Sequence, residues 1–111
     1  VRSVFDHLAI NSKCRSIVLS AAGKSFCAGI NLKAGSDQLS AIVHNNTLDT
    51  GRKSLKLREL IATCQDSFTS LEKCPKPVIA AIHGHCIGAG ISLIAAADIR
   101  YASKDTVFSV K

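Results

Sequence analysis

The stretch that decides the fold is "HGHCIGAGISLIAAAD", His83–Asp98, which follows the apolar run Val78–Ile82 with no charged residue between. Three glycines, two histidines and a block of alanines crowd into it. Pro75 and Pro77 stand just before, where they end any preceding helix and bias their neighbours toward extended geometry. Val78–Ile82 reads as a strand apolar on both faces, as expected of a central parallel strand covered by helices. "DIRYA", Asp98–Ala102, is the next strand candidate, and the fifteen residues His83–Ala97 suffice for a crossover helix between parallel neighbours. Gly84, Gly88 and Gly90 therefore fall where a strand turns into a helix. Their spacing departs from the GxGxxG dinucleotide fingerprint, and no GK[ST] is present to cradle a triphosphate. Glycines there permit a tight turn and close packing. They also let an acceptor oxygen approach the first helical N–H groups, which lack intrahelical partners.

Working outward, Val1, Val4, Phe5 and Leu8 follow helical spacing from the first residue, with no capping residue in front. "CRSIVLSAAG" carries an apolar run, Ile17–Leu19, that reads as a buried strand leaving into a loop at Gly23. "KSFCAGINL" continues that loop. Lys33–Thr50 is polar and mixed, predicts no definite element, and is the stretch expected to be most mobile. From about Arg52, the positions Leu57, Leu60, Ile61, Cys64, Phe68 and Leu71 recur at intervals of three and four, one face of a long helix. Thr106–Val110 is strand-like. The uncapped start and the strand-like finish lead us to expect one globular unit belonging to a longer protein.

The chain has 111 residues, 47% of them hydrophobic, which supports a single modest core. A net charge of +6 would suit a polyanion, yet the fourteen cationic residues are spread along the chain and cluster only in "GRKSLKLR", Gly51–Arg58. Aromatic residues make up 5%, with no Trp, so stacking platforms for nucleic acid are scarce and none is expected as a partner. The five cysteines contain no CxxC pair and read as reduced thiols. Cys74, His83, His85 and Cys86 match no zinc-ligand spacing, so no metal is expected. Val78–Ala97 is uncharged and has the length of a membrane span, with Gly84 and Gly88 in GxxxG spacing. Two histidines, a serine and the Pro77 boundary argue against a span.

A second small-residue turn, Ala28-Gly29 in "SFCAGINL", also follows an apolar strand. Two N–H donors from different loops that converge on one oxygen make an oxyanion hole. The pair "AAGKSFCAGINL" and "CPKPVIAAIHGHCIGAGISLIAAADIRYA" resembles the crotonase family, the enoyl-CoA hydratase/isomerase superfamily. The connecting "LRELIATCQDSFTSLEKCPKPVIAA" and "DIRYASKDTVFSVK" look most like its Δ3,5-Δ2,4-dienoyl-CoA isomerases. The likeness covers nearly the whole chain except Lys33–Ser54.

That resemblance implies an α/β fold, a crotonase-like spiral of repeated strand–strand–helix turns. Residues 1–111 would be a central fragment of it, a partial N-terminal core domain truncated at both ends. It implies an acyl-CoA isomerase of fatty-acid β-oxidation, with the N–H groups of Ala28 and Ala89 holding the thioester oxygen as an enolate forms. Ala28, Gly29, Ile30, Asn31, Leu32 and Ala89 would line the substrate site, and Lys33, Lys53 or Lys56 would meet CoA phosphates. Coenzyme A would enter as part of the substrate, without a separate cofactor. Relatives form trimers, often paired into hexamers, in mitochondria or peroxisomes.

Two positions depart from the family's pattern. Ala89 replaces its usual glycine, so the donor there needs a negative φ and room for a methyl group. Ser92 stands where dienoyl-CoA isomerases carry aspartate and hydratases glutamate. A carboxylate can exchange a proton near neutral pH, whereas an unactivated hydroxyl cannot. Ser92 is accordingly expected to bond nearby backbone, with the remaining family acids falling after Lys111. The alternatives are a weakened acyl-CoA-binding homologue or an enoyl-CoA hydratase.

Overall fold

The computed structural model describes residues 1–110. Two compact units divide the chain: residues 1–29 with 67–110, and Ile30–Asp66. In the first unit lie α1 (Arg2–Ile10), β1 (Ile17–Leu19), β2 (Val78–Ile82), β3 (His85–Ile87), α4 (Ala89–Ala95), β4 (Ile99–Ala102) and β5 (Val107–Ser109). The second holds α2 (Leu32–Val43) and most of α3 (Thr50–Glu72).

Strands β1, β2 and β4 form one parallel sheet in that order, with Ile17 opposite Val78 and Ile79 opposite Ile99. Strands β3 and β5 form a second parallel pair, and Cys27 joins it through a single parallel bridge to Cys86. The chain thus visits the first sheet, then the second, then a helix, and repeats: β1 and Cys27, β2 and β3, β4 and β5. This is the strand–strand–helix spiral expected of the family resemblance.

β2 is the centre of the core because Val78, Ala80 and Ile82 alternate inward, all buried. Phe5 from α1, Phe26, Leu71 from α3, Cys86 and Ile94 close around them. Full burial of each large apolar side chain is worth about 1.5–3 kcal/mol. Charged side chains then fasten the element ends. The Asp98 carboxylate accepts from the Val78 N–H at 2.7 Å while the Asp98 N–H donates to the Val78 carbonyl at 2.9 Å, which sets the β2–β4 register. The Lys76 ammonium donates to the carbonyls of Leu8 and Asn11, a cation at the C-terminal end of α1 where the helix dipole favours it. Arg100 does the same for α4 through the Ile94 and Ala97 carbonyls.

Four expectations need correction. His83–Ala97 is not one crossover helix: it splits into a turn, the three-residue β3 and the seven-residue α4, because backbone pairing with Cys27 and β5 captures His85–Ile87 as strand. The same division removes the continuous span, and no helix among the described residues is long and apolar enough to cross a membrane. Lys33–Val43 is helical, started by Asn31, whose side-chain oxygen accepts the Ala34 N–H at 3.1 Å. Finally, β1 buries Ile17 but leaves Val18 exposed, and the long face of α3 is buried only at Leu71, with Leu57, Leu60 and Phe68 half-buried and Ile61 and Cys64 exposed.

Gly84 has φ +60°, and a Cβ there would stand 2.1 Å from the Lys24 carbonyl oxygen. Backbone must move to admit it, so Gly84→Ala should destabilise the protein by at least about 2 kcal/mol in urea unfolding. Burial, and after it the neighbouring Cys27, push the Cys86 thiol above its ordinary range. A neutral thiol is therefore favoured in the folded state. Its contribution is complete below the unfolded thiol value, about 8.5, and is lost as pH rises through the folded value. The urea midpoint should fall between pH 8 and pH 10, and Cys86→Ala should flatten that fall.

Candidate active site

The segment Lys24–Gly29, which leaves β1, lies along Gly84–Gly90. The Phe26 N–H donates to the His83 carbonyl at 2.9 Å and the Cys27 N–H to the His85 carbonyl at 3.0 Å, while the Ile87 N–H returns to the Cys27 carbonyl at 2.9 Å. On its other side the same stretch is held by β5, through Val107 N–H to Gly84 carbonyl and Gly88 N–H to Ser109 carbonyl. The two histidines add side-chain ties to the first segment: His83 Nε2 donates to the Gly23 carbonyl at 2.9 Å, and His85 Nδ1 is 3.3 Å from Ser25 Oγ. They act as stitches between segments sixty residues apart.

Glycines let these segments approach. A Cβ at Gly90 would meet Cys27 Cβ at 2.8 Å, and one at Gly88 would meet Gly29 Cα at 3.9 Å. Cys27 therefore faces Gly90 and Gly29 faces Gly88, which brings the turn carrying Ala28 close to the start of the helix carrying Ala89. Gly88, with φ +54°, turns the chain from β3 into α4, and Ala89 is the first residue of that helix. Every positive φ among the described residues belongs to a glycine, so the methyl of Ala89 sits on ordinary backbone. Of the two conditions that the sequence set on an alanine here, a negative φ and room for the methyl group, the first is met. Among the described residues neither the Ala28 N–H nor the Ala89 N–H has a protein acceptor. The second is one of the orphan donors of a helix start. Both residues retain access to solvent, Ala28 being exposed and Ala89 half-buried.

The other expected site residues are placed less uniformly. Gly29 continues the crossing. Ile30, Asn31 and Leu32 belong to the second unit, where Ile30 and Leu32 are exposed and Asn31 caps α2. Lys53 is committed to the Val43 carbonyl at 2.8 Å, at the C-terminal end of α2, whereas Lys56 is exposed on α3. Ser92 is exposed on α4 and, contrary to expectation, its hydroxyl bonds no backbone among the described residues. The carbonyl four residues back, on Gly88, already accepts the Ile91 N–H at 2.9 Å. Sequence reasoning missed Cys27 and Cys86, whose side chains fill the floor under the crossing. The absence of a side chain at position 90 was their only trace in the sequence.

The family model described as enoyl-CoA hydratase/isomerase matches residues 1–111. The chain is 47% identical over 107 residues to the mitochondrial Delta(3,5)-Delta(2,4)-dienoyl-CoA isomerase of Mus musculus, covering 96% of this chain and 32% of that protein. It is 52% identical over 95 residues to the peroxisomal Delta(3,5)-Delta(2,4)-dienoyl-CoA isomerase of Arabidopsis thaliana, covering 86% and 34%. Among solved structures, an enoyl-CoA hydratase/isomerase (crotonase) from Legionella pneumophila superposes with a TM-score of 0.76 at 31% identity, over 96% of this chain and 37% of that one. The chain spans about a third of the length of the curated relatives it matches. With the spiral of paired strands, the glycine-spaced crossing and a family match along its whole length, this chain belongs to the enoyl-CoA hydratase/isomerase family.

Proposed function

We propose that this chain forms the central part of an acyl-CoA isomerase, of the Δ3,5-Δ2,4-dienoyl-CoA type, working in fatty-acid β-oxidation. Its reaction moves double bonds by taking a proton from the acyl chain and returning it elsewhere. Negative charge gathers meanwhile on the thioester oxygen. In this reading the N–H groups of Ala28 and Ala89 grip that oxygen. Each donor of this kind is worth about 3–4 kcal/mol of transition-state stabilisation where water is excluded. The observation that supports this reading is a pair of acceptor-free N–H groups, Ala28 and Ala89, on two segments held together by the Cys27–Cys86 bridge and the Gly29–Gly88 approach. The names of the mouse and Arabidopsis relatives support the choice of reaction.

Gly29, Ile30, Asn31 and Leu32 would line the CoA side of the acyl thioester, with coenzyme A entering only as part of the substrate. Residues 1–111 would be the N-terminal core portion of a larger crotonase-fold domain that supplies the proton-transfer acids, assembles as a trimer or hexamer, and works in mitochondria or peroxisomes. Ser92 supports a second reading, an acyl-CoA-binding homologue with weakened chemistry, because it offers no carboxylate at the family's acid position.

Ala89→Pro tests the donor directly. Proline is tolerated at the first position of a helix, where it removes the N–H and little else. In the full-length protein, kcat for 3,5-dienoyl-CoA isomerisation should fall about 10²–10³-fold with the circular dichroism spectrum kept. An unchanged kcat/KM would remove Ala89 from the mechanism. Ser92→Asp should raise isomerisation about 10²-fold, the scale of one positioned acid–base group. Acyl-CoA binding without turnover in both the parent and Ser92→Asp proteins would establish the binding role instead.

A further inference from the structure

We propose that Cys27 and Cys86 are a peroxide-sensitive thiol pair that closes into an intrachain disulfide beside Gly90, where the segments Lys24–Gly29 and Gly84–Gly90 meet. The inference does not depend on the acyl-CoA reading, since it rests on two sulfurs and the backbone that carries them. Cys27 and Cys86 are direct partners in a parallel bridge, with the Cys27 N–H on the His85 carbonyl and the Ile87 N–H on the Cys27 carbonyl. Residues paired in this way sit about 4.8 Å apart between strands and project to the same face. That spacing falls inside the window of about 4.4–6.8 Å between Cα atoms that a disulfide spans.

Gly90 reports where the two sulfurs go. The position a Cβ would take there is 3.2 Å from Cys86 Sγ and 3.3 Å from Cys27 Sγ. Both thiols therefore converge on one small volume that a glycine leaves open. The Cys27 thiol faces the Gly29 carbonyl at 3.7 Å and the Cys14 thiol the Ser16 carbonyl at 3.5 Å, while Cys64 is exposed on α3 in the second unit.

The two thiols differ in access, which assigns their roles. Cys27 is half-buried and Cys86 fully buried. The Cys27 thiolate attacks one peroxide oxygen, the O–O bond breaks, and the departing hydroxide is protonated to water, leaving a sulfenic acid on Cys27. Cys86 sulfur then attacks Cys27 sulfur, the S–O bond breaks, and hydroxide leaves with the Cys86 proton as a second water. Two thiols are oxidised and one peroxide is reduced. Because burial holds the Cys86 thiol above its ordinary range, its thiolate is scarce at neutral pH and the second step should quicken as pH rises.

The full-length protein, treated with equimolar hydrogen peroxide and then alkylated under denaturing conditions, is digested and mapped without reduction. The expected product joins the peptide containing Cys27 to the peptide containing Cys86. It should revert to two alkylatable thiols after dithiothreitol and form several-fold faster at pH 9 than at pH 7. Cys27→Ser and Cys27→Ala should abolish it, whereas Cys64→Ser should not. If either Cys27 variant fails to fold, the map of the parent protein decides alone. Peroxide that leaves both thiols alkylatable, stops at an oxidised Cys27 beside a reduced Cys86, or links either residue to another cysteine would overturn the proposal.

Discussion

The contact on which the molecule turns is the near-collision of two backbones, Lys24–Gly29 and Gly84–Gly90, at points where a β-carbon cannot stand. Gly84 lies against the Lys24 carbonyl and Gly90 against the Cys27 side chain. Both approaches are closer than any other residue type could accept without moving main chain. Because the segments touch this closely, their peptide groups can exchange three hydrogen bonds, linking Phe26 and Cys27 to His83, His85 and Ile87, and β3 forms where local sequence alone would not hold a strand. The turn into α4 and the start of that helix follow from it.

How far this was legible in the sequence depends on the range of the forces involved. β2 and the long helix were readable because their apolar spacing is local, and the prolines between them punctuate the change of period. The last turn of that helix buries Leu71 as the pattern implied. By contrast, His85–Ile87 carries no alternation that separates it from the alanine-rich residues after it. Its strand character is imposed by partners about sixty residues earlier and twenty later. α2 was missed for a different reason: its few apolar residues, Leu32, Leu39, Ile42 and Val43, are separated by the polar and small run Lys33–Gln38, and the capping residue Asn31 was its clearest signal. Motif likeness directed attention to Ala28 and Ala89, but only coordinates bring in Cys27, whose relation to Gly90 is a matter of distance in space.

The charged residues illustrate how architecture uses groups that composition suggests are for partners. Lys76, Arg100 and Lys53 each place a cation on the carbonyls at the end of a helix, and Asp98 closes the register of the first sheet. These contacts satisfy backbone acceptors that would otherwise have only water.

One property of the crossing bears on how the protein tolerates change. Whatever acceptor the Ala28 and Ala89 amides meet, both belong to the main chain, and a scan that trims side chains to alanine finds alanine already there. Such a survey would record silence at these two residues and severe loss at Gly84 and Gly90. The apparent hot spots would then be the supporting framework, with the donors themselves invisible.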